Sequence, residues 1–253
     1  MKNFPVVAFC LVSLSVSAAA QVPVTVVSGA SFLANFPVAP GSYSQVWGDF
    51  RGFPTANADL TSLPLPRTLD GVEVLVEGTA APLYAVTPQV VAFLVPQNIG
   101  PGRRGIQVRR GGQVVGQGTF HVISEAPGIF FSPIGGIHVG GVRNQAGQFA
   151  TAESPAERGQ AITIALTGAG TALTKSIPDG QAPDELISTT EAPEVYISVD
   201  RAEVLFSGLM PLYPGLWQID ARVPNKPYIS GPVPLFVRYR GMTSNAVVFW
   251  VRP

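Results

Sequence analysis

The sequence predicts an all-β protein made of two tandem β-sandwiches, with little or no helix beyond its first twenty residues. Three observations lead there. The 27 glycines and 24 prolines among 253 residues leave few windows long enough for a helix, whose interior either residue weakens by ~1 to 3 kcal/mol. Short apolar and β-branched runs recur along the chain, separated by turn pairs such as Asp70-Gly71, Gly111-Gly112, Asp179-Gly180 and Arg240-Gly241. The series of runs then occurs a second time.

The chain opens on a pattern that does not belong to the fold. Lys2 supplies a positive charge, Phe4 to Val16 form an apolar run, and Ala18-Ala19-Ala20 precede Gln21. This is the form of a cleaved secretory signal covering residues 1–20, and the run is shorter than the ~20 apolar residues a spanning helix needs. Cys10, the single cysteine, follows Phe9 inside that run, which does not suit a lipoprotein site, and it leaves with the signal. The expected product is secreted, either extracellular or held in the periplasm or at the cell surface, with no membrane span. Without cysteine it has no disulfide, thiolate metal site or cysteine nucleophile.

Strands are expected at Val24–Val27, Tyr43–Trp47, Val72–Val76, Val90–Val95, Gly105–Arg110 and Val114–Ile123, and then at Ala161–Thr167, Leu216–Val223, Val233–Tyr239 and Ala246–Val251. Glu194 to Ser207 reads as a hairpin, Val195–Val199 and Glu203–Phe206, turning at Asp200-Arg201. Val90 to Pro96 aligns with Gln218 to Pro224, with both Val-Pro ends in register. Ahead of these lie Gly71–Val76 with Ala81–Val86, and Pro193–Val199 with Ala202–Phe206. The expected division is a first sandwich at residues 21–125 and a second at 126–253, with the boundary near Ser124–Gly128. Units of this length suit an immunoglobulin-like sandwich.

Side-chain parity separates the aligned strands. Trp217, Ile219, Ala221 and Val223 alternate with Gln218, Asp220 and Arg222, giving one dry and one wet face. In the first half the wet positions hold Val90, Ala92 and Leu94, so that strand is apolar on both faces and something must cover it. Packing of the second half or of the N-terminal segment is the leading expectation, and an interaction strand for another chain is the alternative.

A series of short motifs carries a family resemblance. Ala39-Pro40-Gly41-Ser42, Trp47-Gly48, Leu69-Asp70-Gly71-Val72-Glu73-Val74, Ala81-Pro82-Leu83 and Ala126-Pro127-Gly128-Ile129-Phe130 come first. Thr167-Gly168-Ala169-Gly170, Phe206-Ser207-Gly208-Leu209, Pro214-Gly215-Leu216-Trp217-Gln218-Ile219 and Val223-Pro224 follow. Together they resemble the Solibacter-type C-terminal domain of secreted acidobacterial proteins, over nearly all of the chain after the signal. The resemblance implies two immunoglobulin-like halves of the IPT/TIG kind and implies no activity. Two departures stand out: Asp200-Arg201 replaces a Gly-Gly hairpin, and Val90-Val91-Ala92 replaces a Gln-Ile-Asn pattern.

The residues that could carry chemistry are few. Sixteen basic residues balance sixteen acidic ones, which argues against nucleic acid as a partner. The two histidines, His121 on a strand and His138 in the glycine-rich loop Gly135–Gly141, are weak candidates for an acid-base site, and no Gly-x-Ser-x-Gly elbow is present. Asp179, Asp184 and Glu185 form an acidic loop, read as solvated, with calcium as the metal alternative. Basic residues gather at Arg103-Arg104, Arg109-Arg110 and Arg238-Tyr239-Arg240, the last two at equivalent hairpin ends. Tyr228, Arg238, Tyr239 and Arg240 are the candidate ligand contacts, because aromatic faces beside arginine suit a sugar. Trp47, Trp217 and Trp250 are expected in the core. The sequence therefore reads as a non-catalytic structural, adhesive or protein-interaction module without a cofactor. The alternatives are a carbohydrate or cell-envelope binding module and, last, a hydrolase. The partner would be an envelope component, a polysaccharide or another secreted protein.

Overall fold

The computed structural model describes residues 21–252, and every regular element among them is a strand. The expected signal, residues 1–20, lies outside the described residues. The first half contains β1 (Val22–Pro23), β2 (Thr25–Ser28), β3 (Tyr43–Trp47), β4 (Ala56–Asn57), β5 (Val72–Val76), β6 (Thr79–Ala80), β7 (Leu83–Val86), β8 (Val90–Leu94), β9 (Gly102–Arg110) and β10 (Gln113–Val122). One sheet runs β1-β10-β9-β5-β6 and the other β2-β3-β8-β7-β4. Alternation along the strands makes the core between them. Val72, Val74, Val76, Ile106 and Val108 come from the first sheet, and Val46, Leu83, Val91 and Phe93 from the second.

The second half contains β11 (Gly128–Ile129), β12 (Phe131–Ile134), β13 (Ile137–Gly140), β14 (Val142–Arg143), β15 (Ala161–Thr167), β16 (Ile187–Ser188), β17 (Glu194–Ile197), β18 (Asp200–Leu209), β19 (Leu216–Arg222), β20 (Gly231–Tyr239), β21 (Met242–Thr243) and β22 (Val247–Val251). Nine of them join in one path, β11-β15-β19-β18-β17-β20-β22-β13-β12, with β14 beside β15, β16 beside β18 and β21 beside β20. The long strand β18 makes the corner. Its first residues pair with β17, its later ones with β19, and a bulge between Val204 and Phe206 bends it. A separate cluster of buried residues fills this half, around Trp217, Ile219, Val195, Val237 and Phe249.

The two halves share one pairing scheme. β8 lies between β3 and β7 as β19 lies between β15 and β18. β9 joins β5 to β10 as β20 joins β17 to β22. Even the parallel pair of β1 with β10 has its counterpart in β13 with β22. The aligned segments beginning at Val90 and Gln218 thus occupy corresponding strands.

Two local expectations change. The 194–207 hairpin turns at Ser198-Val199, not at Asp200-Arg201: Ile197 pairs with Asp200, and Ser198 takes φ 57. The strand after it starts with Asp200 because that residue is already in the ladder. In the first half, the hairpin after β5 pairs it with Thr79–Ala80 alone; at Ala81-Pro82 the chain leaves for the other sheet and becomes β7. Proline has no N–H to extend the ladder, so the strand breaks where its counterpart β18 runs on.

Candidate functional site

The halves meet along the outer faces of the sheets that hold β8 and β19. Thr167 sits at the seam, where its Oγ1 accepts from the Tyr43 N–H at 2.8 Å and donates to the Gly215 carbonyl at 2.8 Å. The Tyr84 hydroxyl donates to the Pro214 carbonyl at 2.5 Å. Burial, with Tyr43 beside it, pushes the Tyr84 phenol well above its ordinary range. The connecting segment is seated as well. Gly168 (φ 89) and Gly170 (φ 65) lie against the carbonyls of Ala126 and Ser124, where any Cβ would collide with backbone.

This seam accounts for several residues that the sequence offered as sites. Leu94 and Ala92 are each 4% exposed, and Leu94 lies directly against Gly215 of the second half. Val90, at the strand's start, is half-buried. The Ala92–Leu94 end of the doubly apolar strand is thus covered by the protein itself, as packing of the other half would have it. Asp179 is also part of the seam: it accepts from the Gln97 N–H at 2.8 Å and pairs with Arg67 at 3.6 Å. Asp184 is exposed, and Glu185 pairs with Lys175 at 2.5 Å. The three acidic residues are thus used separately, and among the described residues no group of three or more His, Cys, Asp or Glu could hold a metal.

Three of the four candidate ligand contacts, Arg238, Tyr239 and Arg240, line one concavity of about 360 Å³ together with Glu191, Glu194 and Arg201, and Tyr228 lies apart from it. Tyr239 is 1% exposed, packed on Trp217 with its hydroxyl donating to the Ala172 carbonyl, so it belongs to the core. Its alternation with Val233, Leu235 and Val237 carries that signal in the sequence. Arg240 pairs with Glu191 and with buried Glu125 of the connecting segment, the latter at 3.3 Å. Arg238 reaches Glu194 at 3.9 Å and lies over the Tyr196 ring. Tyr228, 58% exposed, donates to Asp200 at 2.5 Å near the opposite end of β20. The histidines are apart too. His121 points outward from β10 between buried Phe120 and Val122, as parity requires. His138 lies in a strand, β13, not a loop, and its ring rests on Phe131 at 4.1 Å. The flanking Gly135-Gly136 make the hairpin turn there.

What the seam leaves open is a cleft of about 730 Å³ between the halves, within the ~300–1,000 Å³ usual for ligand sites. Gln45, Tyr43 and Tyr84 line it from the first half; Arg143, Thr163 and Ala165 line it from the second. Tyr213 and Met210, in the β18–β19 loop, close one side, and Phe32 and Phe149 stand at its border. Three of these rings keep large exposed areas: Phe32 43%, Phe149 53% and Tyr213 45%. Arg143 lies over the Phe149 ring at 4.3 Å. Trp47, expected in the core, is 43% exposed on the same face of β3 as Gln45, to which its Nε1 donates at 3.1 Å. Trp217 is fully buried, and Trp250 is half-buried. The cleft joins residues of the two halves that are far apart in sequence, so no local pattern signals it; the exposure of Trp47 alone follows from parity, because Val46 faces inward.

No family model matches the chain, and no curated protein does. Among solved structures, it is similar to SGBP-B of the Bacteroides ovatus mixed-linkage glucan utilization locus, solved with a mixed-linkage heptasaccharide. That match has 11% identity and a TM-score of 0.35, and covers 88% of this chain and 44% of that one. A titin A168–A169 structure matches at 11% identity and TM-score 0.24, covering 92% and 96% of the two chains. A β-glycosidase from Bacteroides vulgatus matches at 12% identity and TM-score 0.25, covering 92% and 25%. The chain is an all-β sandwich protein.

Proposed function

We propose that the protein is a secreted, non-catalytic module that holds a ligand or partner in the cleft between its two sandwich units. The observation that carries this reading is the cleft itself, bordered by exposed Phe149 and Tyr213 and held open by the fixed seam at Thr167 and Gly215. Exposed aromatic rings gathered at one concave site are a usual mark of recognition. The non-catalytic part is supported by the use of its ionisable groups: Asp179, Glu185 and Arg240 are held in ion pairs. Secretion by cleavage before Gln21, the division at residues 21–125 and 126–253, and kinship with the Solibacter-type domain belong to the same proposal.

The test is sedimentation of the purified protein with the producing cell's envelope fraction, in parallel with the Phe149→Ala/Tyr213→Ala double variant. Saturable retention that the double variant loses is expected. Equal retention of both proteins would move the role away from the cleft. N-terminal sequencing of the protein from the producing cell addresses secretion: a chain starting at Gln21 is expected, and a mature chain that keeps Met1 would contradict it.

A further inference from the structure

We propose that the cleft takes a neutral glycan, its sugar rings laid on the exposed aromatic faces and its hydroxyls met by Gln45, Arg143 and Thr163. This rests on the cleft being the ligand seat. The class follows from the chemistry of the second half's wall. In the ladder, Arg143 pairs with Thr163 and Thr163 with Asp220, so one row across three strands carries a cation at one end and an anion at the other. Of this row, Arg143 and Thr163 line the cleft and Asp220 lies one strand beyond them, so the Arg143 charge has its counter-charge on the same row, which favours a neutral ligand.

The hydrogen bonds already made determine what remains available. The Thr163 hydroxyl donates to Asp220 at 2.7 Å, and Gln218 donates to both Asp220 oxygens at 3.0 Å, so Thr163 has its lone pairs left as acceptors. Arg143 donates to the Gly147 carbonyl at 2.7 Å and makes no ion pair among the described residues, leaving further N–H groups to give. Gln45 accepts from Trp47 through Oε1, which leaves its amide hydrogens as donors. The site therefore offers donors and an acceptor beside aromatic rings. A purely apolar ligand would strip water from these groups without replacing it, which opposes its binding. A hydroxyl both donates and accepts, and the C–H face of a sugar ring lies flat on an aromatic side chain. A polyhydroxylated ring satisfies both parts of the site.

The experiment is a titration of the purified protein with neutral gluco-, xylo- and manno-oligosaccharides, α- and β-linked, read by calorimetry and by NMR shifts of the Gln45, Thr163 and Ala165 amides. Anilinonaphthalene sulfonate serves as an apolar anionic probe, and Tyr213→Ala and Arg143→Met are run beside the native protein. Saturable binding of an oligosaccharide is expected, with shifts at those amides and a loss of ~10-fold or more in affinity in Tyr213→Ala at unchanged melting temperature. If the dye fills the cleft and no oligosaccharide binds, the glycan class is overturned while the cleft stands as a ligand seat. If neither binds, both readings fall. Sugar binding that leaves those amides unmoved and survives both substitutions also overturns the proposal.

Discussion

The strands β8 and β19 occupy the same place in the two halves, yet their outer faces have opposite characters. On β19 the outward residues are Gln218, Asp220 and Arg222; on β8 the aligned positions are Val90, Ala92 and Leu94. The wet face hydrogen-bonds within its own sheet, through Gln218 to Asp220 and Arg222 to Glu203. On the dry face, Ala92 and Leu94 are buried, Leu94 against Gly215 of the second half's β18–β19 loop. Duplicated strands need only their inward residues to fill a core. Their outward residues are free to become a joint in one copy and a polar wall in the other. Gln45 and Thr163, which stand opposite Ala92 and Asp220 at corresponding registers, both end up lining the cleft between the copies.

The largest effect is expected at the connecting segment. Gly170→Val places a β-branched side chain at positive φ against the Ser124 carbonyl, and a loss of more than ~4 kcal/mol, or no folded protein, should appear in chemical denaturation. Next comes a direct exchange of the two faces. Leu94→Arg buries an unpaired charge at the seam and should cost ~3–5 kcal/mol. The reciprocal Arg222→Leu removes only exposed contacts with Glu203 and Gly159, and should stay within ~1 kcal/mol of the native protein. Equal losses in the two variants would remove the distinction between the faces. Thr167→Val leaves the Tyr43 N–H and Gly215 carbonyl without their partner and should cost ~1–3 kcal/mol in the same assay.

The smallest effect is one of pH. Burial raises the Tyr84 phenol, so the native state keeps a proton that the unfolded chain releases above its ordinary value near ~10. The contribution is complete below that pH and is lost as pH rises toward the higher native value. Tyr84→Phe should therefore show a shallower alkaline decline in melting temperature than the native protein. An identical decline would place the titrating group elsewhere, with Tyr239, also raised by burial, as the next residue to replace.

Much of the fold was legible because alternation is a local signal. Tyr43–Trp47, Val72–Val76 and Ala161–Thr167 have the bounds their patterns indicate, and the alignment of Val90 with Gln218 found corresponding strands. The turn at Ser198-Val199 was less legible, since Val199 reads as a strand residue but is 81% exposed at the tip, while Asp200, a usual turn residue, is held in the ladder by Ile197. β18 blurs its own pattern because a strand that changes sheets also changes which side is inside. The site was least legible. Tyr239 and Arg240 looked like a surface pair, yet parity buries the first and Glu125, more than a hundred residues away, engages the second. The cleft is a property of how the halves meet, and no local pattern encodes it.

The central claim is that the covered face of β8 fixes one half against the other and so gives the cleft a lasting shape. Backbone residual dipolar couplings measured over both halves test this directly. A single alignment tensor is expected to fit residues of both halves in the native protein, and Leu94→Arg, where it stays folded, should need two. Two different tensors in the native protein would contradict it.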